Sequence, residues 1–113
     1  MAKLDDCIFC KLANGEIPTD MVMETEDIAV FKDANPQAPV HVLLVPKDHY
    51  ACLNDDVPAD LLAKLMKLVP EVADKMGVHD SGYRTIINTG DDANQTVKHL
   101  HVHVVGGIRL SGF

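Results

Sequence analysis

The sequence predicts an α+β fold: an antiparallel five-stranded sheet with one long helix packed on one side and a short N-terminal helix. Two observations carry that prediction. Five short runs have strand character, and most successive runs are joined by short polar turns, as antiparallel neighbours are. Only one long segment, between the third and fourth runs, repeats its apolar residues at helical spacing.

At 113 residues the chain reads as one domain, residues 1–113, able to bury roughly two thirds of its unfolded surface. A net charge of −7 sets a repulsive field against nucleic-acid phosphates, so DNA or RNA is not expected as a partner. No stretch approaches the run of about twenty apolar residues that a membrane span needs. The start, Met1-Ala2-Lys3-Leu4-Asp5-Asp6, lacks the apolar centre of a signal peptide. Three cysteines, an odd number, fit a reducing compartment, and a cytoplasmic setting is expected.

Cys7-Ile8-Phe9-Cys10-Lys11-Leu12-Ala13-Asn14-Gly15 reads as a short helix, capped by Asp5 or Asp6 and ended by Gly15 in a left-handed conformation. Cys7 and Cys10 then share one face of it. A Cys-x-x-Cys pair offers two of the four ligands zinc takes, but it also suits a redox pair or plain burial of two thiols. Met21 to Glu24 and Ile28 to Lys32 are two strands around the polar turn Thr25-Glu26-Asp27, and Asp33 to Pro39 is a loop fixed by two prolines. His41 to Pro46 is almost continuously apolar, as a central strand is, and Pro46 ends it, leaving Lys47-Asp48-His49 at the sheet rim.

Asp55-Asp56-Val57-Pro58 signals a helix start. From there Leu61, Leu62, Leu65, Leu68, Val69, Val72 and Met76 mark a buried stripe that Gly77 closes. Pro70 is expected to kink this helix or end its first part. Cys52 reads as a buried thiol and His79 as a solvated loop residue. Tyr83 to Asn88 is a further strand, followed by the loop Thr89 to Thr96, whose backbone N–H groups, Gln95 amide and Thr96 hydroxyl suit an oxygen-rich anion.

The last strand is the most informative. His99-Leu100-His101-Val102-His103-Val104-Val105 alternates with period two, which puts three of the chain's six histidines on one face and Leu100, Val102 and Val104 on the other. Imidazole is a poor core group unless it is hydrogen-bonded, so a wetted polar face, a catalytic array or a metal site are the readings open here.

That strand resembles the His-φ-His-φ-His-φ-φ signature of the histidine triad family. The likeness extends along the chain through Cys7 to Lys11, Gly15-Glu16-Ile17-Pro18, Phe31-Lys32-Asp33, Pro36 to Pro39, His41, Pro46-Lys47-Asp48-His49, Asn88, Gln95-Thr96 and Gly106-Gly107. These stretches are similar to the family's nucleoside phosphoramidase branch. The resemblance implies a hydrolase of purine nucleoside 5′-phosphoramidates, such as adenosine 5′-monophosphoramidate, working through a nucleotidyl-histidine. His101 would be the nucleophile, His103 a donor to phosphate, and Thr96 a candidate proton donor to the leaving amine. Gln95, Thr96 and Asn88 would surround the phosphate, Asp33 would hold the ribose hydroxyls, and Ile8, Phe9, Leu12 and Phe31 would enclose the base.

By the same resemblance Cys7, Cys10, His49 and His99 form a complete Cys₂His₂ set for a structural zinc ion, with no metal required for the chemistry. Relatives are homodimers, which is the assembly expected here. Two departures are visible: Asn94 stands where relatives have glycine, and the C-terminal tail lacks the tryptophan some of them carry. Two other readings stand beside the hydrolase, a metalloenzyme using His99, His101 and His103 together, and a nucleotide-binding protein without catalysis.

Overall fold

Five segments alternate side chains between two faces, and in the computed structural model, which describes residue 4 and residues 6–112, they form one sheet in the order β1-β2-β3-β5-β4. The strands are β1 (Met21–Glu24), β2 (Ile28–Lys32), β3 (Val40–Pro46), β4 (Tyr83–Ile86) and β5 (Val102–Gly106), and every neighbouring pair is antiparallel. β3 lies at the centre, which is why its run is apolar at successive positions: both of its faces are covered. Val42 and Leu44 face one layer, Leu43 and Val45 the other.

The first layer is α2 (Ala59–Lys75), whose Leu65, Leu68, Val69 and Val72 pack with Ile28, Val30, Val42, Leu44, Leu100, Val102 and Val104. The second is α1 (Ile8–Ala13), whose Ala13, Phe9 and Leu12 pack on Ala29, Phe31, Leu43 and Val45. No described helix is long and apolar enough to cross a membrane.

Two expectations are corrected, and one of the two alternatives for Pro70 is excluded. The cap of α1 is Cys7, whose Sγ accepts from the Cys10 backbone N–H at 3.3 Å, and not Asp6; Asp5 lies outside the described residues. Gly15 does end the helix, at φ +78°. Pro70 does not end α2, which runs through it as one element. Pro70 and Met66 are both exposed, so the Met66 carbonyl that proline leaves without an N–H is on the solvent side, where water can meet it. Finally, Cys52 is half-buried and not sealed in the core.

The histidine strand is shorter than its alternation. Ladder pairing begins at Val102, opposite Leu44, so His99, Leu100 and His101 precede it. Continuing that register would set Leu100 against Pro46, which has no N–H to give. The chain instead bonds outside the ladder: Leu100 N–H donates to the Tyr50 carbonyl at 2.7 Å. The two-faced division survives, with Leu100, Val102 and Val104 all in the α2 layer. His79 is an exposed turn residue beside Asp80, as its surroundings suggest.

Candidate active site and metal centre

α1, the turn after β3 and the bend before β5 bring Cys7, Cys10, His49 and His99 to one point. Their ligand atoms all lie within 4.8 Å of one another. His99 Nδ1 is 3.3 Å from Cys7 Sγ and 3.4 Å from Cys10 Sγ, His49 Nδ1 is 3.4 Å from Cys10 Sγ, and the two Nδ1 atoms are 3.2 Å apart. A tetrahedron with ordinary zinc bond lengths has S···N edges of about 3.5 Å and N···N edges of about 3.3 Å, so the donor set fits zinc in both chemistry and size. His99 Nε2–H donates to the Pro46 carbonyl at 2.8 Å, which turns the Nδ1 lone pair toward the thiols. Burial holds the His99 imidazole down to about 4.

The next two histidines have opposite proton arrangements. His101 Nδ1–H donates to the His99 carbonyl at 2.6 Å, which leaves the lone pair on Nε2. The ring is buried, Phe9 stands edge-on to it at 4.9 Å, and burial lowers its pKa below the ordinary imidazole value. His103 is governed from β3. The Gln37 backbone N–H donates to His41 Nδ1 at 3.0 Å, so the His41 proton sits on Nε2, which lies 2.9 Å from His103 Nδ1 and 3.4 Å from an Asp33 oxygen. Donating to the nearer atom puts the remaining His103 proton on its Nε2. That atom is buried with no hydrogen-bond partner among the described residues. Burial first, then the neighbouring His101 and His41, holds His103 down to about 4.

His41 was not singled out in the sequence as a site residue. Its signal was parity: it shares a strand face with Leu43, which pairs with His103.

Asp33, His41 and His103 form a second group close enough for a metal, but the His41 nitrogen that faces it carries a proton, so that group is a hydrogen-bond relay. Nor do His99, His101 and His103 converge. His99 turns its Nδ1 to the thiols, His101 turns its own to a carbonyl, and these three form no common ligand set among the described residues. This removes the geometric basis for a metal shared by the triad.

A cavity of about 390 Å³ opens over His101 and His103. Phe9, Leu12, Phe31 and Leu43 give it an apolar wall, with Phe9 and Phe31 in an edge-to-face pair at 5.9 Å. Asp33, Asn88, Asn94 and Thr96 give it polar edges. Asp33 Oδ1 also accepts from the Asn35 N–H at 2.8 Å, so this residue both shapes its turn and lines the cavity.

Two residues fall elsewhere. Ile8 is 46% exposed and lines a separate cleft with Cys7, His49 and Lys98. Gln95 is buried with its amide committed to backbone: Oε1 accepts from Gly90 N–H at 2.9 Å, and Nε2 donates to the carbonyls of Ala51 at 2.7 Å and Val97 at 3.1 Å. It braces the loop and is not presented to a phosphate. Asn94 takes φ +62° and ψ 37°, the left-handed conformation that glycine adopts most readily and that asparagine tolerates best among other residues.

Comparison with known proteins gives a consistent picture. A family model described as HIT domain matches residues 14–110. Protein HitA of Neisseria gonorrhoeae is 48% identical over 105 residues, 91% of this chain and 97% of that protein. The crystal structure of a HIT family hydrolase from Legionella pneumophila Philadelphia 1 is similar with a TM-score of 0.90 at 39% identity, covering 94% of this chain and 96% of that one. A histidine triad protein from Clostridium difficile is similar with a TM-score of 0.93 at 42% identity, covering 98% of each chain.

Proposed function

This chain belongs to the HIT domain family, and from that premise we propose that it is a nucleotide hydrolase of the nucleoside phosphoramidase branch. Its substrates are purine nucleoside 5′-phosphoramidates, and its intermediate is a nucleotidyl group on His101. The observation that carries this reading is the pair of opposite tautomers beneath one cavity, a lone pair on His101 Nε2 and a proton on His103 Nε2.

The His101 lone pair attacks the α-phosphorus. The N–P bond to His101 forms as the P–N bond to the leaving amine breaks, and the departing nitrogen takes a proton from the Thr96 hydroxyl, which recovers one from water. His103 Nε2–H donates to a phosphate oxygen as charge gathers there. Water then attacks phosphorus and gives up its proton to solvent, and the His101–phosphorus bond breaks to release a nucleoside monophosphate. Asp33 accepts from the ribose hydroxyls, and Phe9, Leu12 and Phe31 enclose the base. Asn88 and Thr96 border the phosphate. Zinc, held by Cys7, Cys10, His49 and His99, would supply structure and no reaction step, since four protein ligands leave no open position. A homodimer and a cytoplasmic setting belong to the same proposal, by likeness to the family.

The test is to mix the protein with a labelled adenosine phosphoramidate, quench in base, and search by mass spectrometry for a nucleotidyl adduct on His101. His101→Ala is expected to lose turnover by at least about a thousandfold, as removal of a covalent nucleophile does, while still binding nucleotide. Unchanged turnover in that variant refutes the mechanism. Nucleotide binding with neither adduct nor hydrolysis in the unaltered protein would instead make it a binding protein.

A further inference from the structure

A Cys-x-x-Cys pair suits two chemistries, metal binding and thiol redox, and they do not exclude each other. Here the two sulfurs are placed unequally. Cys10 is fully buried, whereas Cys7 is half-buried and lines the cleft it shares with Ile8, His49 and Lys98, about 410 Å³ in volume. Both belong to the donor set whose atoms lie within 4.8 Å of one another, and the Cys10 backbone N–H donates to Cys7 Sγ at 3.3 Å. A small solute entering the cleft therefore meets the Cys7 sulfur first, with the Cys10 sulfur behind it and sealed from solvent. That is the order a redox pair needs, an accessible sulfur to be oxidised and a neighbour to resolve it.

The residue between the cysteines ties them to the nucleotide cavity. Phe9 stands edge-on to the His101 ring at 4.9 Å, and with Leu12 it forms part of the apolar wall over that ring. Both sit on α1, whose six residues are too few to hold a helix in water, so the wall depends on what anchors it. We propose that Cys7 and Cys10 are a redox switch on nucleotide binding: hydrogen peroxide oxidises the pair to a disulfide, the zinc ligand set is dismantled, and α1 loosens from the cavity. This rests on the zinc centre and the nucleotide site proposed above and adds their regulation. The Cys7 thiolate attacks one peroxide oxygen and the O–O bond breaks, giving a Cys7 sulfenic acid and hydroxide. The Cys10 thiolate then attacks the Cys7 sulfur, the S–S bond forms, and the S–O bond breaks to release a second hydroxide. The two thiolates lose two electrons and the peroxide gains them. His49 and His99 remain as two of the four ligands that zinc takes. A thiol reductant returns both sulfurs, so the change is reversible, as sensing disulfides in a reducing compartment are.

The experiment uses the full chain loaded with zinc, both unaltered and as Cys52→Ala, which leaves the pair as the chain's only thiols. Hydrogen peroxide is added beside a chromogenic zinc chelator, the cysteines are mapped by mass spectrometry, and binding of adenosine monophosphate is measured by calorimetry. Zinc is expected to be released as a Cys7–Cys10 disulfide forms, and affinity for the nucleotide to fall by roughly tenfold, an ordinary strength of coupling between two sites. Dithiothreitol with added zinc should restore both. Reciprocity supplies a readout without any oxidant: saturating adenosine monophosphate should strengthen zinc retention against the chelator by the same factor. Zinc held at a peroxide dose that fully oxidises free glutathione, a sulfinic acid on Cys7 with no disulfide, or zinc loss that leaves nucleotide affinity unchanged each overturns the switch while the zinc and hydrolase readings stand. A reduced chain that takes up no zinc removes the metal centre and the switch together, and leaves the hydrolase reading to the adduct on His101. A reduced, zinc-loaded chain that binds no nucleotide overturns the switch together with the nucleotide site. Should Cys52→Ala melt well below the unaltered protein, the mapped cysteines of the unaltered chain decide.

Discussion

Asn94 illustrates how a residue other than glycine can hold the left-handed conformation that glycine adopts most readily. With φ +62° it occupies a conformation that disfavours a β-branched side chain. Asn94→Gly should therefore retain the loop and the activity, whereas Asn94→Val should destabilise the protein by about 1–2 kcal/mol in denaturant titrations. A neighbouring residue teaches the opposite lesson. Gln95 has the right functional group for a phosphate, but the Gly90 N–H and two carbonyls hold it in place. Residue type identifies a capacity for hydrogen bonding, and only the surroundings decide where it is used.

At the scale of elements, α1 matters more than its six residues suggest. A helix so short has no stability of its own in water, and it is held by Phe9 and Leu12 on the sheet and by its two cysteines beside His49 and His99. The same helix carries part of the apolar wall of the cavity. Cys10→Ser should therefore lower bound zinc per chain, measured by atomic absorption. It should also reduce stability by several kcal/mol, since structural zinc sites contribute on the order of 10 kcal/mol, and weaken nucleotide binding in calorimetry. Full zinc and unaltered stability in that variant would remove the proposed metal centre. The elements themselves were legible in advance to within a few residues, because period-two and helical spacing are local properties of the chain. Two details differed: Cys7, not Asp6, caps α1 through the nearby Cys10 N–H, and Pro46, distant in sequence, ends the ladder short of His101.

For the molecule as a whole, burying imidazoles links folding to pH. In the unfolded chain a histidine takes up its proton near pH 6.5, while folded His103 resists until about 4. The unfolded state therefore binds more protons in that window, and stability is lost as pH falls from about 6.5 toward 4. Denaturant titrations at pH 7, 5.5 and 4.5 should show that decline, and His103→Gln should flatten part of it. An equal slope in both proteins would mean that His103 is not held neutral by the fold.

The sequence by itself determined the five strands, the two helices, the face that the histidine strand buries, and most candidates for the polar positions of the site, His41 excepted. It did so because apolar periodicity and turn chemistry act between near neighbours. What the tertiary structure decided was the state of those candidates. His103 takes its tautomer from His41, 62 residues away, and His41 takes its own from the Gln37 backbone. His99 takes its orientation from the Pro46 carbonyl. A proton's place on an imidazole depends on which lone pair or N–H lies about 3 Å away, and that distance exists only once the chain has closed on itself.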